Sequence, residues 1–341
     1  MMARVVFAFC NRARKPHGMR SGPRRDSFVL IPMATTPVAI VQAEPAATLV
    51  DGIARTRELA GEAAGKGAAL VVFPETWIPG YPAWLDVCRD AGLWDHAPVK
   101  RVFARMAENS VVVAGDSGNA LGDIARQHGI TLVIGVTERV DAGVGRGTLY
   151  NALLTFGPDG VLLNHHRKLM PTYTERMVWG LGDAQGLHAV GTPSGRVGGL
   201  ICWEHWMPLA RQAMHDSGED IHVAVWPNVH EMLQVASRQY AFEGRCFVLA
   251  AGSLLRASNL PSELEPHPER VKSSSQVVLR GGSAIIGPNG AYLAGPVFDE
   301  ACILTADLEL DRVREESMSL DVAGHYSRPD CLELRVTRGR R

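Results

Sequence analysis

Between Pro37 and Ala251 the sequence switches repeatedly from short apolar runs to stretches with helical spacing, and this alternation restricts the chain to a layered α/β fold. Residues 37–43 (PVAIVQA) read as a buried strand. Leu49, Val50, Ile53, Ala60, Ala63 and Ala64 then recur at helical spacing until Gly65-Lys66-Gly67 ends them, and residues 68–73 (AALVVF) form a second strand. Helices follow over 99–108 and 122–128, with a strand over 130–136. A second β-α-β-α-β run occupies 196–201, 208–217, 222–226, 234–245 and 247–251. Residues 153–163 (LLTFGPDGVLL) and 284–293 (AIIGPNGAYL) each place Gly-Pro-Asp/Asn-Gly between apolar runs. Proline presets φ in such a turn and glycine tolerates positive φ, so both predict β-hairpins. Matching hairpins in the two halves imply internal pseudo-symmetry. Residues 253–275, rich in Ser, Pro and charge, read as a long surface loop that covers a site or meets another subunit.

With 341 residues the chain accommodates one or two domains. Its longest apolar stretch, 246–255, is broken by Gly252 and Ser253, which argues against a membrane span. Six cysteines without CxxC spacing indicate neither a disulfide framework nor a zinc ribbon, and a reducing cytoplasm is the expected compartment. Residues 1–33 carry seven basic side chains against one acid, leaving 28 basic and 35 acidic residues in the remainder. An acidic body argues against nucleic acid as the main partner. The basic start lacks the amphipathic face of a transit peptide and the apolar run of a secretory signal. It reads as an extension ahead of a natural start at Met33, whose MATTPVAIVQAEP leads into the first strand. The expected organisation is therefore an extension over 1–33, one domain over 34–335 and a short tail over 336–341.

Reactive groups in open α/β sheets collect beyond the carboxyl ends of the strands. Glu75 follows the second strand after Pro74, Cys202 follows strand 196–201, and Lys168 follows the first hairpin. A thiol, a carboxylate and an ammonium that converge suit attack on an electrophilic carbon. A cysteine between a strand and a helix N-terminus can have a depressed pKa, and a nearby glutamate can take its proton. The ammonium and the backbone N–H of Trp203 can then stabilise an anionic tetrahedral intermediate. Each residue alone has an ordinary alternative: a buried structural thiol, a solvated lysine, a turn-capping glutamate.

The surrounding text raises the case. Phe73-Pro74-Glu75-Thr76-Trp77-Ile78-Pro79-Gly80-Tyr81-Pro82, His166-Arg167-Lys168-Leu169-Met170-Pro171-Thr172 and Gly199-Leu200-Ile201-Cys202-Trp203-Glu204-His205-Trp206-Met207-Pro208-Leu209 resemble, in order, the three signature motifs of the nitrilase superfamily, and its true nitrilase branch in particular. The resemblance extends over about residues 36–335, through Trp226-Pro227, residues 237–252 and residues 324–330. It implies a four-layer α-β-β-α sandwich with internal pseudo-symmetry and a homodimer or dimer-based homo-oligomer. It implies Cys202 as nucleophile, Glu75 as general base and later acid, Lys168 as stabiliser of the tetrahedral intermediate, and Glu175 as the glutamate that orients Lys168 and the substrate. The implied reaction is hydrolysis of an organic nitrile to carboxylic acid and ammonia without a cofactor. An amidase, a carbamoyl hydrolase and a cyanide-degrading relative are the rivals within the superfamily, and a non-catalytic scaffold is the rival outside it.

Among aromatic residues near the motifs, Trp77 and Trp203 lie within two residues of a proposed catalytic group and are expected to line the substrate pocket, with Tyr173 and His230 as further candidates. Cys202-x-x-His205, with His165, His166 or His222 to complete a set, is a poor metal signature without HExxH or a second cysteine pair. Residues 115–119 fail the G-x-S-x-G pattern at their last position. Residues 143–147 lack the spacing of a phosphate- or dinucleotide-binding loop and read as a flexible turn.

Overall fold

A computed structural model describes residues 35–339. Its first strand, β1 (Thr36–Gln42), shows how the layers arise. Side chains alternate across a strand, so Val38 and Ile40 enter the core between two sheets, whereas Ala39 and Val41 face helices on the outside. The same division runs through β2 (Leu70–Ile78), where Leu70 and Val72 point inward and Val71 and Phe73 outward. Outside this sheet lie α1 (Leu49–Gly65) and α4 (Asp116–His128), which contribute Leu59, Ala60, Ala63, Leu121, Ile124 and Ala125 to the outer core. Thr48 caps α1, its hydroxyl accepting from the Asp51 N–H at 3.1 Å. The short α2 (Trp84–Val87) and α3 (Ala97–Glu108) form a separate small core with Leu149, Val178, Trp179, Leu260 and Leu264.

The first sheet has six strands in the order β13-β1-β2-β3-β4-β5, with β3 Thr131–Arg139, β4 Leu149–Phe156, β5 Leu162–Arg167 and β13 Cys302–Leu308. β1, β2 and β3 are parallel; β4 and β5 are the predicted hairpin and run antiparallel. The second sheet repeats this plan. β7 (Gly195–Ile201), β8 (Ile221–Trp226) and β9 (Phe247–Gly252) are parallel, and β11 (Val277–Ile286) and β12 (Tyr292–Phe298) form the second hairpin beside β9. β6 (Val190–Thr192) and β10 (Leu254–Arg256) complete it. Helices α5 (Pro208–His215) and α6 (Glu231–Gly244) cover its outer face with Ala210, Ala213, Met214, Leu233, Ala236 and Tyr240. The architecture is the α-β-β-α sandwich, with the two hairpins in equivalent positions.

Five elements were not foreseen: the short α2, β6 and β10, and the two at the C-terminal end. β13 pairs with β1 in antiparallel register from Thr36↔Leu308 to Gln42↔Cys302, and α7 (Asp311–Ser317) follows it. Helix α4 also starts earlier than the spacing predicts, because Gly118 and Gly122 disguise its first turns. Residues 253–275 are largely irregular, as expected of a loop, with β10 at their start. Near the chain end, Leu334 and Val336 pack on the main core and Arg338 donates to the Leu187 carbonyl at 3.4 Å. The basic segment 1–33 lies outside the described residues. Cys88, Cys202, Cys246, Cys302 and Cys331 are free thiols, and among the described residues no helix is long and apolar enough to cross a membrane.

Candidate active site

β2 ends in an irregularity that sets the position of Glu75. Strict alternation would put Phe73, Glu75 and Trp77 on one face. Phe73 and Trp77 do share the outer core, with ring centroids 5.2 Å apart, but Thr76 takes a left-handed φ of 45° and the pairing with β3 shifts between Phe73 and Ile78. Glu75 is thereby turned toward β4 and the end of β5. β3 approaches this bend so closely that a Cβ at Gly135 would lie 2.4 Å from the Pro74 carbonyl oxygen and 2.7 Å from the Glu75 Cα.

There Glu75 Oε1 accepts from Asn151 Nδ2 at 2.6 Å and from Lys168 Nζ at 3.1 Å. Lys168 directly follows β5, and its backbone N–H bonds the Asn151 carbonyl at 2.8 Å, so one strand pair supplies both partners. Lys168 Nζ also donates to Glu175 Oε2 at 2.7 Å. Glu175 belongs to a 3₁₀ turn, Tyr173–Met177, and its carboxylate is fixed twice more: Oε2 accepts from the Thr172 N–H at 2.7 Å, and Oε1 from the Tyr81 hydroxyl at 2.9 Å. Cys202 opens the 3₁₀ turn Cys202–Trp206 after β7, with a left-handed φ of 53°, a strained conformation for a residue with a Cβ. Its Sγ and a carboxylate oxygen from each of Glu75 and Glu175 lie within 4.8 Å of one another. The four predicted polar residues, Glu75, Lys168, Glu175 and Cys202, are thus brought together and buried.

Glu204, in the same turn as Cys202, ties the two halves of the site. Its carboxylate accepts from the backbone N–H of Ile201 at 2.7 Å and of Leu169 at 2.8 Å, and meets His166 Nε2 at 2.9 Å. Burial alone would raise its pKa, but His166 and these backbone donors hold it below the ordinary value.

Electrostatics sort the roles of the other groups. Burial raises Glu75 to about 7, against the opposing pull of the Lys168 charge and the Asn151 hydrogen bond. Burial also pushes the Cys202 thiol well above its ordinary value; the negative charge of Glu75 adds to this, and Lys168 and the Trp203 N–H bonded to the sulfur only partly offset it. This corrects the expectation of a depressed pKa. The turn after β7 is a single 3₁₀ turn and α5 starts six residues later, so no helix N-terminus points at the sulfur. Cys202 therefore rests as a thiol. Lys168 remains an ammonium: burial works against its charge, but Cys202, Glu75 and Glu175 raise its pKa further. Tyr81, raised by burial and by Glu175, remains a donor.

Two oxygens of this network, Glu75 Oε2 and Asn151 Oδ1, are buried with no hydrogen-bond partner, and of the two only the carboxylate oxygen can hold a proton. A buried acceptor left open is costly unless a reacting proton uses it. The donor set of Glu75, Glu175 and Cys202 would also suit a cation geometrically, but the Lys168 ammonium already bonds both carboxylates.

Trp77 requires a correction. It is fully buried between the first sheet and α1, and its indole N–H donates to Thr56 Oγ1 at 2.8 Å, so it is a core residue and does not line a pocket. Trp203 and Tyr173 are 54% and 83% exposed, and His230 is exposed ahead of α6, so all three side chains lie outside the buried network. Two members of the network went unpredicted. Asn151 is a polar residue inside an apolar strand, and Tyr81 follows a Pro-Gly turn; their partners lie 76 and 94 residues away in sequence, where spacing carries no signal. Tyr81 also forms part of the wall of a cavity of about 550 Å³, together with Pro79, Trp84, Met106, Leu255 and Leu260.

Comparison with known proteins agrees with this geometry. A family model described as carbon-nitrogen hydrolase matches residues 37–316. The chain is 40% identical over 301 residues to an aliphatic nitrilase of Sinorhizobium fredii, covering 87% of this chain and 94% of that protein. It is 39% identical to a bifunctional nitrilase/nitrile hydratase, NIT4A, of Lupinus angustifolius, covering 83% and 80%, and 37% identical to nitrilase 1 of Arabidopsis thaliana, covering 81% and 79%. Among solved structures, Nit3 of Saccharomyces cerevisiae, a member of branch 10 of the nitrilase superfamily, superposes with a TM-score of 0.63 at 18% identity, covering 86% of this chain and 96% of that one. With its motifs, layers and site in agreement, the chain belongs to the carbon-nitrogen hydrolase family, the nitrilase superfamily.

Proposed function

We infer that the protein is a nitrilase that converts an organic nitrile and two waters into a carboxylic acid and ammonia, with Cys202 as nucleophile. The observation that carries the assignment of roles is the open Glu75 Oε2 in a network that holds Glu75 Oε1, Lys168 Nζ and both Glu175 oxygens in place. Glu75, poised at about 7, takes the thiol proton as Sγ bonds to the nitrile carbon, and passes it to the nitrile nitrogen to give a thioimidate. Glu75 next takes a proton from water as its oxygen adds to the same carbon. The tetrahedral adduct holds its charge beside the Lys168 ammonium and the Trp203 N–H. Glu75 returns that proton to nitrogen and then carries the adduct's hydroxyl proton to the same nitrogen, so that ammonia leaves as the carbonyl forms and a thioester remains. A second water, deprotonated by Glu75, releases the acid and restores the thiol.

Cleavage of the C–S bond in the first tetrahedral adduct releases an amide instead. The bifunctional name of the Lupinus angustifolius relative favours this side path as a second product. The cavity that shares Tyr81 with the network supports placing the substrate's organic group there, while Trp203, Tyr173 and His230 remain candidates for its outer contacts. Exposed Leu209, Met232, Val235 and Phe242 on α5 and α6 support assembly as a homodimer or dimer-based oligomer.

The test is turnover of aliphatic, aromatic and arylaliphatic nitriles, cyanide and the matching amides by wild type and Cys202→Ala, with acid, amide and ammonia quantified. Acid and ammonia from a nitrile, lost in the variant, are expected. Turnover of amides alone would move the protein to an amidase reading, and turnover of cyanide alone to a cyanide-degrading one.

A further inference from the structure

From the Cys202 carbonyl, four buried side chains form a single line of hydrogen bonds. His205 Nδ1 meets the Cys202 carbonyl oxygen at 2.6 Å, and His205 Nε2 meets His222 Nε2 at 3.0 Å. His222 Nδ1 meets Glu219 Oε1 at 2.7 Å, and Glu219 Oε2 accepts from the Tyr240 hydroxyl at 2.6 Å. His205 stacks on Trp226 with ring centroids 4.6 Å apart, and His222 stacks on Tyr240 at 3.7 Å. Space for the Glu219 carboxyl is reserved by Gly198, where a Cβ would lie 2.1 Å from Oε1. None of these groups takes part in the chemistry written above.

The contacts fix the number of protons in the line. A carbonyl only accepts, so His205 Nδ1 carries hydrogen. The His205–His222 contact needs one hydrogen between two ring nitrogens, and the His222–Glu219 contact needs another. Three hydrogens are therefore required, and two neutral imidazoles supply two. The third sits on Glu219 as an undissociated acid, or it has moved onto an imidazole, leaving a carboxylate. If it is absent altogether, either two bare ring nitrogens face each other or a bare nitrogen faces a carboxylate. Burial disfavours the charge-separated arrangements. In accord, burial raises Glu219 to about 7 and lowers His205 to about 3, with His222 also depressed. Other ionisable groups near the line are Glu204, His166, His215 and Arg211, the last donating to the His205 carbonyl at 3.0 Å.

We propose that Glu219, His222 and His205 are positioning residues for the nucleophile: a neutral line of donors, running from Tyr240 to the Cys202 carbonyl, that holds the Cys202–Trp203 peptide plane. This rests on Cys202 being the nucleophile. The Cys202 carbonyl and the Trp203 N–H belong to one planar peptide and point in opposite directions. Anchoring the carbonyl on the far side aims the N–H at the sulfur and at the adduct that forms on it. Because Cys202 is held at a left-handed φ, the peptide needs such an anchor. The donor acts on charge that develops during reaction, so losing the anchor lowers kcat more than it changes KM. It also shifts the partition between acid and amide, which the same tetrahedral adduct controls.

The line's polarity supplies the test. Glutamine reproduces an undissociated acid, donating to His222 Nδ1 and accepting from Tyr240; leucine does neither. Glu219→Leu is expected to lower kcat about 10-fold or more, with KM within about twofold and a changed acid-to-amide ratio. Glu219→Gln is expected to restore most of that loss. At about pH 6, where ordinary carboxylates are ionised and Glu219 is not, the infrared spectrum of wild type should contain a protonated-carboxyl band that disappears in Glu219→Gln. Should Glu219→Leu fail to fold, Tyr240→Phe, which removes only the terminal hydroxyl, and the infrared band decide in its place. A Gln variant as impaired as the Leu variant, an unaltered kcat in Glu219→Leu or Tyr240→Phe, or no band lost on Glu219→Gln substitution would overturn the proposal. Wild type that turns over no nitrile, amide or cyanide would defeat the functional reading instead, and the infrared band would still test the line.

Discussion

At Glu75 a single side chain must accept a proton and later return it. Burial holds its pKa near 7, so the carboxylate that serves as base is present above about pH 7 and is lost as pH falls through that value. Lys168 and Tyr81 keep their protons over the same range, because both are raised from already high values. The acid limb of kcat/KM is therefore expected near pH 7. The Asn151 hydrogen bond lowers the Glu75 pKa, so Asn151→Leu is expected to move that limb to higher pH and to lower kcat about tenfold. A pH–rate profile of the two proteins checks both, and an acid limb that stays in place would remove Asn151 from the account. Of this cluster, Glu75, Lys168 and Cys202, each inside a recognisable motif, and Glu175, seven residues after Lys168, were legible in the sequence. Asn151 and Tyr81 were not, because a strand asparagine and a tyrosine after a proline-rich turn acquire their meaning only when β4 and the Glu175 turn meet.

At the scale of elements, local signals decided what could be read. The Gly-Pro-Asp-Gly and Gly-Pro-Asn-Gly turns announced β4–β5 and β11–β12, because a short turn is written in its own residues. β13 was missed because most of its residues are only partly buried and its partner, β1, lies some 260 residues away. The end of β2 misled for the opposite reason. Proximity to Glu75 suggested a pocket role for Trp77, but the left-handed Thr76 turns Glu75 out of alternation and leaves Trp77 in the outer core. The core reading makes its own prediction. Trp77→Phe removes the bond to Thr56 and part of a buried ring system, and should cost about 1–3 kcal/mol of stability, a fall of a few degrees in Tm, with KM unchanged for every nitrile. Thermal unfolding beside steady-state kinetics separates the readings, since a pocket residue would alter the substrate ranking.

At the scale of the whole molecule, pseudo-symmetry explains why strand ends from both halves converge. Glu75 and Lys168 come from the first sheet and Cys202 from the second, and the Glu204 carboxylate pins the two together by accepting from the backbone N–H groups of Leu169 and Ile201. The same plan bears on the basic segment 1–33. β1 is an interior strand, paired with β13 from Thr36 onward on one side and with β2 from Val38 on the other. A chain beginning at Met33 therefore retains every strand pairing found among the described residues and every residue of the site. It is expected to keep the wild-type kcat and to unfold within about 2 °C of the full-length protein, since a Tm shift of that size corresponds to about 1 kcal/mol in a domain of this length. Calorimetry and nitrile turnover on both lengths make the comparison. A marked loss of either would mean that the first sheet draws on residues ahead of Thr36, and would make the basic segment part of the working fold.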